Sequence, residues 1–476
     1  MQRRTKIIAT LGPSSNDAET IEAMVIAGVN VFRLNFSHGQ AEQHKAMAAL
    51  VREASNKVGR HTAIMGDLQG PKIRIGAFSS DFVDLVVDSS FIIDSVFDLS
   101  SGDEERVGIN FELGKDCEVG QTLLLDDGRI ELLVTEIAVS QVITRVVVGG
   151  RLHSRKGLNL RGGGISNDAL TSEDKDNIKL ASELNLDYLA VSFPVAATDM
   201  DRARKLCASS NYFPGLIAKI ERAEVVASDD TLNAIIRASE GVMVARGDLG
   251  VEIGDAELIG VQKKIITSAL RFNKVAITAT QMMETMIENT IPTRAEVFDV
   301  ANAVLDGTDA VMLSAETATG LHPEKVVQAM SRIILGAEKH SISKPIVQND
   351  VEYKTIDRSI AMAGMFSANH LTNVKAIVCF TESGDTPLWM SRVLSGIQIF
   401  ALSRHEKTLN RVAIFKGVNS FRCELVGNTA AEVLDNALEQ LVAEKILEVG
   451  DITIATYGNE IGKCGYTDTL TVKIIE

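Results

Sequence analysis

Short apolar runs alternate with helix-like segments over most of the first 340 residues. Each run ends in a polar or glycine-rich turn, and stretches rich in alanine, glutamate and lysine follow, such as residues 16–27 and 40–57. Because strands that alternate with helices pair in parallel, the pattern predicts an α/β fold. Eight runs belong to it: residues 6–10, 29–34, 62–65, 188–193, 216–220, 241–245, 275–280 and 310–313. Eight strand–helix units are what a closed (β/α)8 TIM barrel needs; a doubly wound open sheet satisfies the same alternation, but the count favours the barrel.

The alternation is interrupted between residues 71 and 165, where apolar and polar positions follow the period of two that is typical of strands. The stretch LLLDDGRIELLV predicts a hairpin whose strands are joined through Asp127 and Gly128. The stretch RVVVGGRL predicts another strand, and the segment closes with LRGGGIS, whose three glycines suggest a hinge. The sequence therefore predicts an all-β insertion after the third barrel strand, and such insertions often act as lids.

A further change of pattern near residue 340 predicts a third, separate domain. Beyond it, the stretches KAIVCF, IQIFAL and DITIAT are typical of parallel strands that alternate with helices. The predicted domains are the barrel (1–70 and 166–340), the β-rich lid (71–165) and a C-terminal α/β domain (341–476).

The composition narrows the class of protein. The chain has 476 residues, a formal net charge of -15 and 5% aromatic residues, so it lacks the positive charge and the stacking surfaces that nucleic-acid binding needs. No apolar run approaches the ~18 residues of a membrane span, and the stretch MQRRTKIIATLG lacks the apolar core of a signal peptide. The five cysteines are far apart and form no CxxC pair. We therefore expect a cytoplasmic protein that binds neither nucleic acid nor membranes.

Polar and ionisable residues follow six of the eight predicted strands. Active sites of barrels lie at the carboxyl ends of the strands, so these residues are the candidates for chemistry. In strand order they are Arg33, Asn35, Ser37 and His38; Asp67, Lys72 and Arg74; Lys219 and Glu221; Arg246, Gly247 and Asp248; Thr278, Thr280 and Gln281; and Ser314 and Glu316. Each group alone has an ordinary structural explanation, such as a solvated strand end or a turn. Their occurrence at one end of six strands indicates a functional site.

Two of these residues, Glu221 and Asp248, are carboxylates from neighbouring strands. Mg²⁺ typically takes one or two carboxylates together with substrate oxygens. Lys219 points the same way as Glu221, because strand periodicity is two, and a cation beside a metal suits a phosphoryl group in transfer or an enolate. Arg33 and Arg74 add donors for phosphate. The residues predict a Mg²⁺ site for a small, doubly anionic substrate, with phosphoryl transfer as the leading chemistry.

The order of the motifs resembles that of the pyruvate kinase family. The segments that carry the resemblance are NVFRLNFSHG, GDLQGPKIRIG, IAKIE, MVARGDLGVEI, TATQMMETM and VMLSAETATG, and the resemblance extends over the whole chain. It implies transfer of a phosphoryl group from phosphoenolpyruvate to ADP, giving pyruvate and ATP at the last step of glycolysis. It also implies an allosteric homotetramer.

The resemblance implies roles for individual residues. Glu221 and Asp248 would ligate Mg²⁺ or Mn²⁺, and Lys219 would stabilise the phosphoryl group in transfer and the enolate. Thr280, together with Ser314, would lie near the path of the proton to the enolate. The substrate would be held by Arg33, Lys219, Gly247, Asp248 and Thr280. The nucleotide would contact Asn35, His38, Arg74 and Lys156, the last of these on the lid.

A monovalent cation, usually K⁺, helps to bind the phosphates in much of the family. The residues that match its pocket are Asn35, Ser37, Asp67 and the backbone at Leu68. Members of the family that need K⁺ have a glutamate in the tripeptide GPE, where this chain has GPK at residues 70–72. A lysine side chain carries its own positive charge at neutral pH. We therefore predict that Lys72 replaces K⁺ and that activity does not depend on K⁺.

The stretch TESGDTPLWMSR in the C-terminal domain matches the family's effector site for sugar phosphates. The loop residues are Thr381, Ser383, Gly384 and Thr386, and a loop of this kind before a helix can bind phosphate. Asp385 stands where a basic residue is often found, which opposes a second phosphate. The expected effector is a monophosphate, either AMP or a sugar monophosphate.

Two other functions are compatible with parts of this pattern. A Mg²⁺-dependent aldolase or lyase of the phosphoenolpyruvate/pyruvate barrel type shares the carboxylate pair and an enolate, but needs no nucleotide lid. A metabolite sensor that has lost its catalytic activity would be expected to lack one or more of the residues Lys219, Glu221, Asp248 and Thr280. All four are present. The lid and its basic residues favour the kinase.

Overall fold

The computed structural model describes residues 3–165, 168–340, 353, 355–460 and 465–476. They form two compact units, the first comprising Met1–Asp67, Ala181–Leu189 and Ala269–Glu476, and the second Leu68–Leu180 and Ala190–Ser268. Strands and helices are numbered in chain order. Among the described residues, no helix has the length and apolar content needed to cross a membrane.

The chain begins with three strands and two helices: β1 (Lys6–Thr10), α1 (Ala18–Ala27), β2 (Val31–Asn35), α2 (Ala41–Val58) and β3 (Ala63–Asp67). Local signals set their limits. The side chain of Asp17 accepts a hydrogen bond from the N–H of Thr20 and so caps the start of α1. Gly28 ends that helix in the left-handed conformation, with a φ of 115° that residues with side chains rarely adopt.

Eight strands build the β-rich lid: β4 (Phe82–Leu85), β5 (Ser90–Asp94), β6 (Arg106–Gly108), β7 (Thr122–Leu125), β8 (Ile130–Ile137), β9 (Gln141–Val148), β10 (Gly150–His153) and β11 (Leu158–Leu160). Six of them form a sheet in the order β11-β7-β8-β9-β5-β6, and β10 pairs with β4. Antiparallel β7 and β8 are joined through Asp127 and Gly128, which both have positive φ. The predicted hairpin and the all-β insertion are confirmed.

Residues 168–340, which the structure describes, contain five strands and nine α-helices: α3 (Ser172–Glu183), β12 (Tyr188–Val191), α4 (Ala197–Ser209), β13 (Gly215–Ile220), α5 (Ala223–Ala227), α6 (Asp229–Ala238), β14 (Gly241–Ala245), α7 (Arg246–Ile253), α8 (Asp255–Arg271), β15 (Val275–Ala279), α9 (Arg294–Leu305), β16 (Ala310–Leu313), α10 (Ala315–Ala318) and α11 (Pro323–His340). The strands are buried along almost their whole length, as expected for a parallel sheet covered on both faces.

The eight parallel strands close into a barrel in the order β1-β16-β15-β14-β13-β12-β3-β2. β1 pairs in parallel with both β2 and β16, so the first and last strands are neighbours and the open sheet is excluded. The predicted barrel is confirmed, with shifts of one or two residues at several strand ends; the predicted runs 188–193 and 275–280, for example, end at Val191 and Ala279. Val29 does not belong to β2, because its N–H bonds back to the carbonyl of Met24 at the end of α1. β3 runs two residues further than predicted, to Asp67, which is opposite Asn35 in register.

The C-terminal α/β domain contains α12 (Ile356–His370), β17 (Val374–Phe380), α13 (Asp385–Ser391), β18 (Gln398–Ser403), α14 (Glu406–Val412), β19 (Val418–Arg422), α15 (Ala430–Ala443), β20 (Ile452–Tyr457) and β21 (Thr469–Ile474). The sheet order is β19-β18-β17-β20-β21, with β21 antiparallel to β20. The three predicted strands are confirmed, and two more flank them. The predicted domain boundaries at 165/166 and 340/341 adjoin residues outside the described part of the chain and stay predictions.

Candidate active site

Lys219 and Glu221 lie at the carboxyl end of β13 in the second unit. Because they are two residues apart on an extended strand, their side chains lie on the same face, and Lys219 Nζ is 3.0 Å from Glu221 Oε1. Lys219 Nζ also donates to Ser192 Oγ at 2.7 Å. The Glu221 side chain is 1% exposed and accepts a hydrogen bond of 2.8 Å from the N–H of Phe193. The ammonium is therefore held in a fixed position in a largely buried site.

Asp248 lies in the first turn of α7, directly after β14. The helix starts at Arg246, so Gly247 also lies in its first turn, and the N–H groups of a first turn favour anions. Lys72 Nζ lies 2.6 Å from Asp248 Oδ1, and both side chains are about four-fifths buried, at 23% and 22% exposure. The predicted metal ligand thus has a lysine partner in this structure.

The ionisation of Glu221 depends on the charges around it, including that of Asp248. Burial raises the pKa of Glu221, the neighbouring Lys219 ammonium opposes the rise, and the negative charge of Asp248 adds to it. Such a pair is favourable when a cation neutralises both charges. No group of three His, Cys, Asp or Glu side chains that could hold a metal ion occurs in the described part of the chain. The donor set fits Mg²⁺ or Mn²⁺, which accept two carboxylates and complete their coordination with substrate or water oxygens.

Ser192 and Phe193 are functional candidates that sequence reasoning missed. They follow β12, the fourth barrel strand, whose end was not among the six polar strand ends. Ser192 Oγ donates to the carbonyl oxygen of Leu68 at 2.7 Å and accepts from Lys219. Phe193 has a φ of 54°, which aims its N–H at Glu221. Both residues fall inside the predicted run 188–193, so their position after the end of the strand, at Val191, is visible only in the structure.

The predicted nucleotide contacts Arg74 and Lys156 lie on the two segments that connect the lid. Lys156 Nζ is 2.6 Å from Asp126 Oδ1, and Arg74 donates from Nη1 to the carbonyl oxygen of Arg155 at 3.2 Å. Arg74 is exposed, and Lys156 is partly exposed. Both cations are therefore accessible to a polyanion from solvent.

Arg33 is a preorganised cation at the end of β2 in the first unit. Its Nε donates to Asp67 Oδ2 at 2.6 Å, and its Nη1 donates to Thr10 Oγ1 at 3.1 Å. The side chain of Asp67 is 1% exposed, so the guanidinium is fixed by a buried carboxylate. In the same unit, Asn35 Oδ1 accepts a hydrogen bond from the N–H of Ser37 at 3.2 Å.

The two residues that follow β15 have an unusual backbone conformation. Thr280 has a φ of 66° and Gln281 a φ of 55°, a conformation that costs a β-branched residue free energy and is often retained at functional sites. Ser314 donates its N–H to Glu316 Oε2 at 2.6 Å, and burial raises the pKa of Glu316.

His38, predicted to contact the nucleotide, is exposed.

The predicted effector loop lies in the C-terminal domain and is held by its own hydroxyl groups. The N–H of Gly384 donates to Thr381 Oγ1 at 2.8 Å, and Ser383 Oγ donates to Asp385 Oδ2 at 2.9 Å. Thr386 Oγ1 shares a hydrogen bond of 2.9 Å with Thr467 Oγ1. The loop is therefore ordered by internal bonds.

A pocket adjoins this loop, and the described residues that line it carry more acidic than basic side chains. Within the described part of the chain, the charged residues of its lining are Asp357, Glu382, Asp385, Glu460 and Arg404. Glu382 is already paired with His405 at 2.6 Å. The charge of this pocket opposes a ligand with two phosphates.

Comparisons with known proteins agree with this architecture. The family models "Pyruvate kinase, barrel domain" and "Pyruvate kinase, alpha/beta domain" match residues 2–327 and 358–473. The chain is 50% identical over 469 residues to the pyruvate kinase of Buchnera aphidicola subsp. Schizaphis graminum, covering 98% of this chain and 97% of that one. It is 49% identical over 478 residues to pyruvate kinase II of Salmonella typhimurium, covering 100% and 99%. The crystal structure of a pyruvate kinase from Cryptosporidium parvum matches with a TM-score of 0.89 and 32% identity, covering 100% and 97%.

The matches extend over the barrel, the lid and the C-terminal domain, so they concern the whole architecture and no single motif. The relatives are similar in length to this chain, and their identity is high enough to establish common descent. The chain belongs to the pyruvate kinase family, the ATP-forming phosphotransferases that move the phosphoryl group of phosphoenolpyruvate to ADP and protonate the remaining enolate to pyruvate.

Proposed function

We propose that Lys219 stabilises the phosphoryl group during its transfer and the enolate that remains. The observation that carries this proposal is the position of Lys219 Nζ, which is fixed by Glu221 and by Ser192 Oγ at 3.0 Å and 2.7 Å. A cation that is already oriented in a water-poor site needs no reorganisation when negative charge develops, and this is the most effective form of electrostatic catalysis.

Glu221 and Asp248 would hold the divalent ion, Mg²⁺ or Mn²⁺. When bound, this ion supplies positive charge that polarises the substrate's oxygens. The surroundings of Glu221 support the assignment: its side chain is 1% exposed, and the nearby negative charge of Asp248 adds to a rise in its pKa that the Lys219 ammonium only opposes. A bound cation would stabilise both carboxylates.

Arg33, Gly247, Asp248 and Thr280 would orient phosphoenolpyruvate. Arg33 is supported by its fixed guanidinium, whose fork geometry suits a phosphate. The first turn of α7 at Gly247 supports binding of a carboxylate through backbone N–H groups. Thr280, with Ser314, would serve the proton path to the enolate, and its positive φ supports a functional role.

The nucleotide would be bound by Asn35, His38, Arg74 and Lys156. Support comes from the lid cations: Lys156 is paired with Asp126, and an incoming ADP phosphate would compete with this carboxylate for the ammonium. Motion of the lid would then bring Lys156 to the phosphates and exclude water during transfer.

Lys72 would supply the positive charge that K⁺ provides in other members of the family. It is an ammonium on a short tether, and its side chain is only 23% exposed. The pocket residues Asn35, Ser37, Asp67 and Leu68 would then act without a bound monovalent ion. Activity is expected to be independent of K⁺.

The C-terminal domain would bind a monophosphate effector, AMP or a sugar monophosphate, through Thr381, Ser383, Gly384 and Thr386.

The same domain would contribute to a homotetramer. Support comes from β21, which lies at the edge of its sheet and exposes Val472 and Ile474 at 47% and 63%. Such an edge can pair with the same strand of a second copy. A cytoplasmic location is part of the proposal.

A coupled assay for ATP formed from phosphoenolpyruvate and ADP tests the role of Lys219. Lys219→Met is expected to lower kcat by about a hundred- to a thousandfold, the usual effect of removing one preorganised electrostatic donor. The matched control is Lys179→Met, since Lys179 is an exposed lysine of the same unit paired with Asp176. Mn²⁺ binding to Lys219→Met should persist. Normal turnover by Lys219→Met would refute the assignment.

A further inference from the structure

Helix α7 carries a predicted metal ligand at its start and a lid contact at its end. Asp248, in the first turn, is paired with Lys72 at 2.6 Å. Glu252, in the last turn, has a side chain that is 0% exposed and is paired with Arg222 at 3.2 Å. Both pairs lie within the second unit, and Lys72 belongs to the segment through which the chain enters the lid.

Lys72 reaches Asp248 by crossing the segment through which the chain leaves the lid. A Cβ atom at Gly157 would lie 3.2 Å from Lys72 Cε, so the missing side chain of this glycine makes room for the lysine. The two segments are bonded to each other: Ile75 N–H donates to the carbonyl of Lys156, and Leu158 N–H donates to the carbonyl of Ile73. Lys72 is therefore anchored at one end of two bonded segments, residues 72–75 and 156–158, which we call the hinge.

The end of α7 is bonded to the segment that leaves the lid, just beyond the hinge. The N–H of Gly162 donates to the carbonyl oxygen of Glu252 at 3.0 Å, and Asn159 Nδ2 lies 3.5 Å from Glu252 Oε1. The N–H of Ala223 donates to Glu252 Oε2 at 2.8 Å. Both lid segments are thus attached to α7, one through Lys72 at its start and the other through Glu252 at its end.

We propose that the Lys72–Asp248 ion pair is a latch that holds the first lid segment to α7 until a divalent cation takes its place on Asp248. The proposal rests on the assignment of Asp248 as a metal ligand. An ammonium 2.6 Å from Oδ1 and a divalent ion on the same carboxylate are like charges a few ångströms apart, and they compete. Binding of the ion therefore releases Lys72, and with it one of the two attachments of the hinge.

The latch makes two quantities change together, the affinity for the divalent ion and the order of the hinge. Lys72→Met removes the competitor while keeping a side chain of similar length. It is expected to tighten Mn²⁺ binding about three- to fivefold, the equivalent of a partly buried ion pair of about 1 kcal/mol. It is also expected to speed the exchange of the hinge amides of Ile75 and Leu158 severalfold in protein without metal, because their segment loses its attachment.

The first experiment measures free Mn²⁺ by electron paramagnetic resonance in titrations of the wild type, Lys72→Met and Asp248→Asn. Arg74→Met is the matched control, since it removes one positive charge from the same lid segment without touching the pair. The expected order of affinity is Lys72→Met, then wild type and Arg74→Met together, then Asp248→Asn. Equal tightening by Arg74→Met would reduce the effect to general charge and overturn the latch.

The second experiment measures hydrogen exchange of the hinge amides with and without Mn²⁺. Mn²⁺ should speed exchange in the wild type towards the rate of Lys72→Met and leave that variant unchanged. Lys115→Met, which removes an exposed lid lysine paired with Glu112, is the control and should match the wild type. Unchanged exchange in Lys72→Met contradicts the latch even where metal binding is intact. Unchanged Mn²⁺ binding in Asp248→Asn contradicts instead the metal assignment, and the displacement step with it.

Discussion

Arg392, directly after α13, donates two parallel hydrogen bonds of 2.9 Å to Asp309, a carboxylate with 0% exposure directly before β16. The same carboxylate accepts the N–H of Ala276 at 2.9 Å, one residue into β15. Both residues belong to the first unit. The pair therefore joins the helix that follows the effector loop to the beginnings of two barrel strands, β15 and β16, whose other ends carry Thr280 and Ser314.

Arg392→Met should destabilise the protein strongly, because it removes both hydrogen bonds of the guanidinium to the buried carboxylate of Asp309. Removing one partner of a buried ion pair costs about 3–5 kcal/mol in the free energy of unfolding. Urea denaturation followed by circular dichroism measures it. The control is Arg404→Met, which removes a half-exposed arginine of the same domain and should cost less than about 1 kcal/mol. Similar losses in the two variants would contradict the importance of the buried pair.

Lys6 should make the stability of the protein increase with pH. Burial lowers the pKa of Lys6 to about 7, helped by Arg3 and Arg60 and opposed by Glu338 and Asp309. Between this value and the ordinary lysine pKa of 10.5 the unfolded chain binds more protons than the folded one, so the free energy of unfolding rises with pH in that window.

Lys6→Met should reduce that rise. Between pH 7 and pH 8.5 the wild type should gain at most about 2 kcal/mol relative to the variant, as one titrating group allows. Urea unfolding at the two pH values measures the difference. Burial also lowers the pKa of Lys416, to about 8, so part of the slope persists in the variant. Parallel pH profiles for the two proteins would show that Lys6 does not titrate in this range.

Activity should persist without K⁺, because we propose that Lys72 takes the place of this ion. Steady-state rates of the wild type in tetramethylammonium buffer free of K⁺ and Na⁺ should lie within about twofold of those in K⁺, since an ammonium is fully charged at neutral pH. Lys72→Glu should lose rate in that buffer and regain it on addition of K⁺. A steep loss of rate by the wild type would remove the proposed substitution.

Thr280→Gly should be more stable and less active than the wild type. Glycine adopts the φ of 66° without steric cost, which offsets its greater entropy loss on folding and leaves a gain of about 1 kcal/mol. Loss of the hydroxyl should lower kcat about a hundredfold, a usual contribution of positioned proton transfer. Thermal unfolding and the coupled assay measure the two effects. Thr280→Ser keeps the hydroxyl and should keep most of the activity, whereas full activity in the glycine variant would exclude the proton path.

A monophosphate should raise the thermal unfolding temperature of the protein, because a ligand that binds only the folded state stabilises it. A thermal-shift panel of AMP and sugar monophosphates, with fructose bisphosphate for comparison, measures the effect. The acidic lining of the pocket should make the bisphosphate the weaker ligand. Thr386→Val should abolish the shift. No shift with any of these compounds would remove the proposal.

The sequence predicted the barrel because its signals are local. Each barrel strand is an apolar run bounded by a turn, and such runs are visible without knowledge of their neighbours. The strands β19 and β21 escaped prediction since most of their side chains are only partly buried, so that their sequences VNSFR and TLTVKI lack an apolar run. Tertiary pairing with β18 and β20 makes them strands.

The residues of the site were predictable, but their partners were not. Lys219 and Glu221 are two positions apart on one strand, so the strand period alone places them together. Lys72 and Asp248 are 176 positions apart, and no local pattern connects them. Ser192 was missed for the same reason, because its importance comes from contacts with Leu68 and Lys219 and not from its own motif.

Each carboxylate assigned to the divalent ion has a lysine beside it, Glu221 with Lys219 and Asp248 with Lys72. The negative charge of both carboxylates is therefore matched by the protein's own cations. A chelator should abolish turnover and leave the unfolding temperature almost unchanged, so that the enzyme survives metal starvation as an intact, reloadable protein.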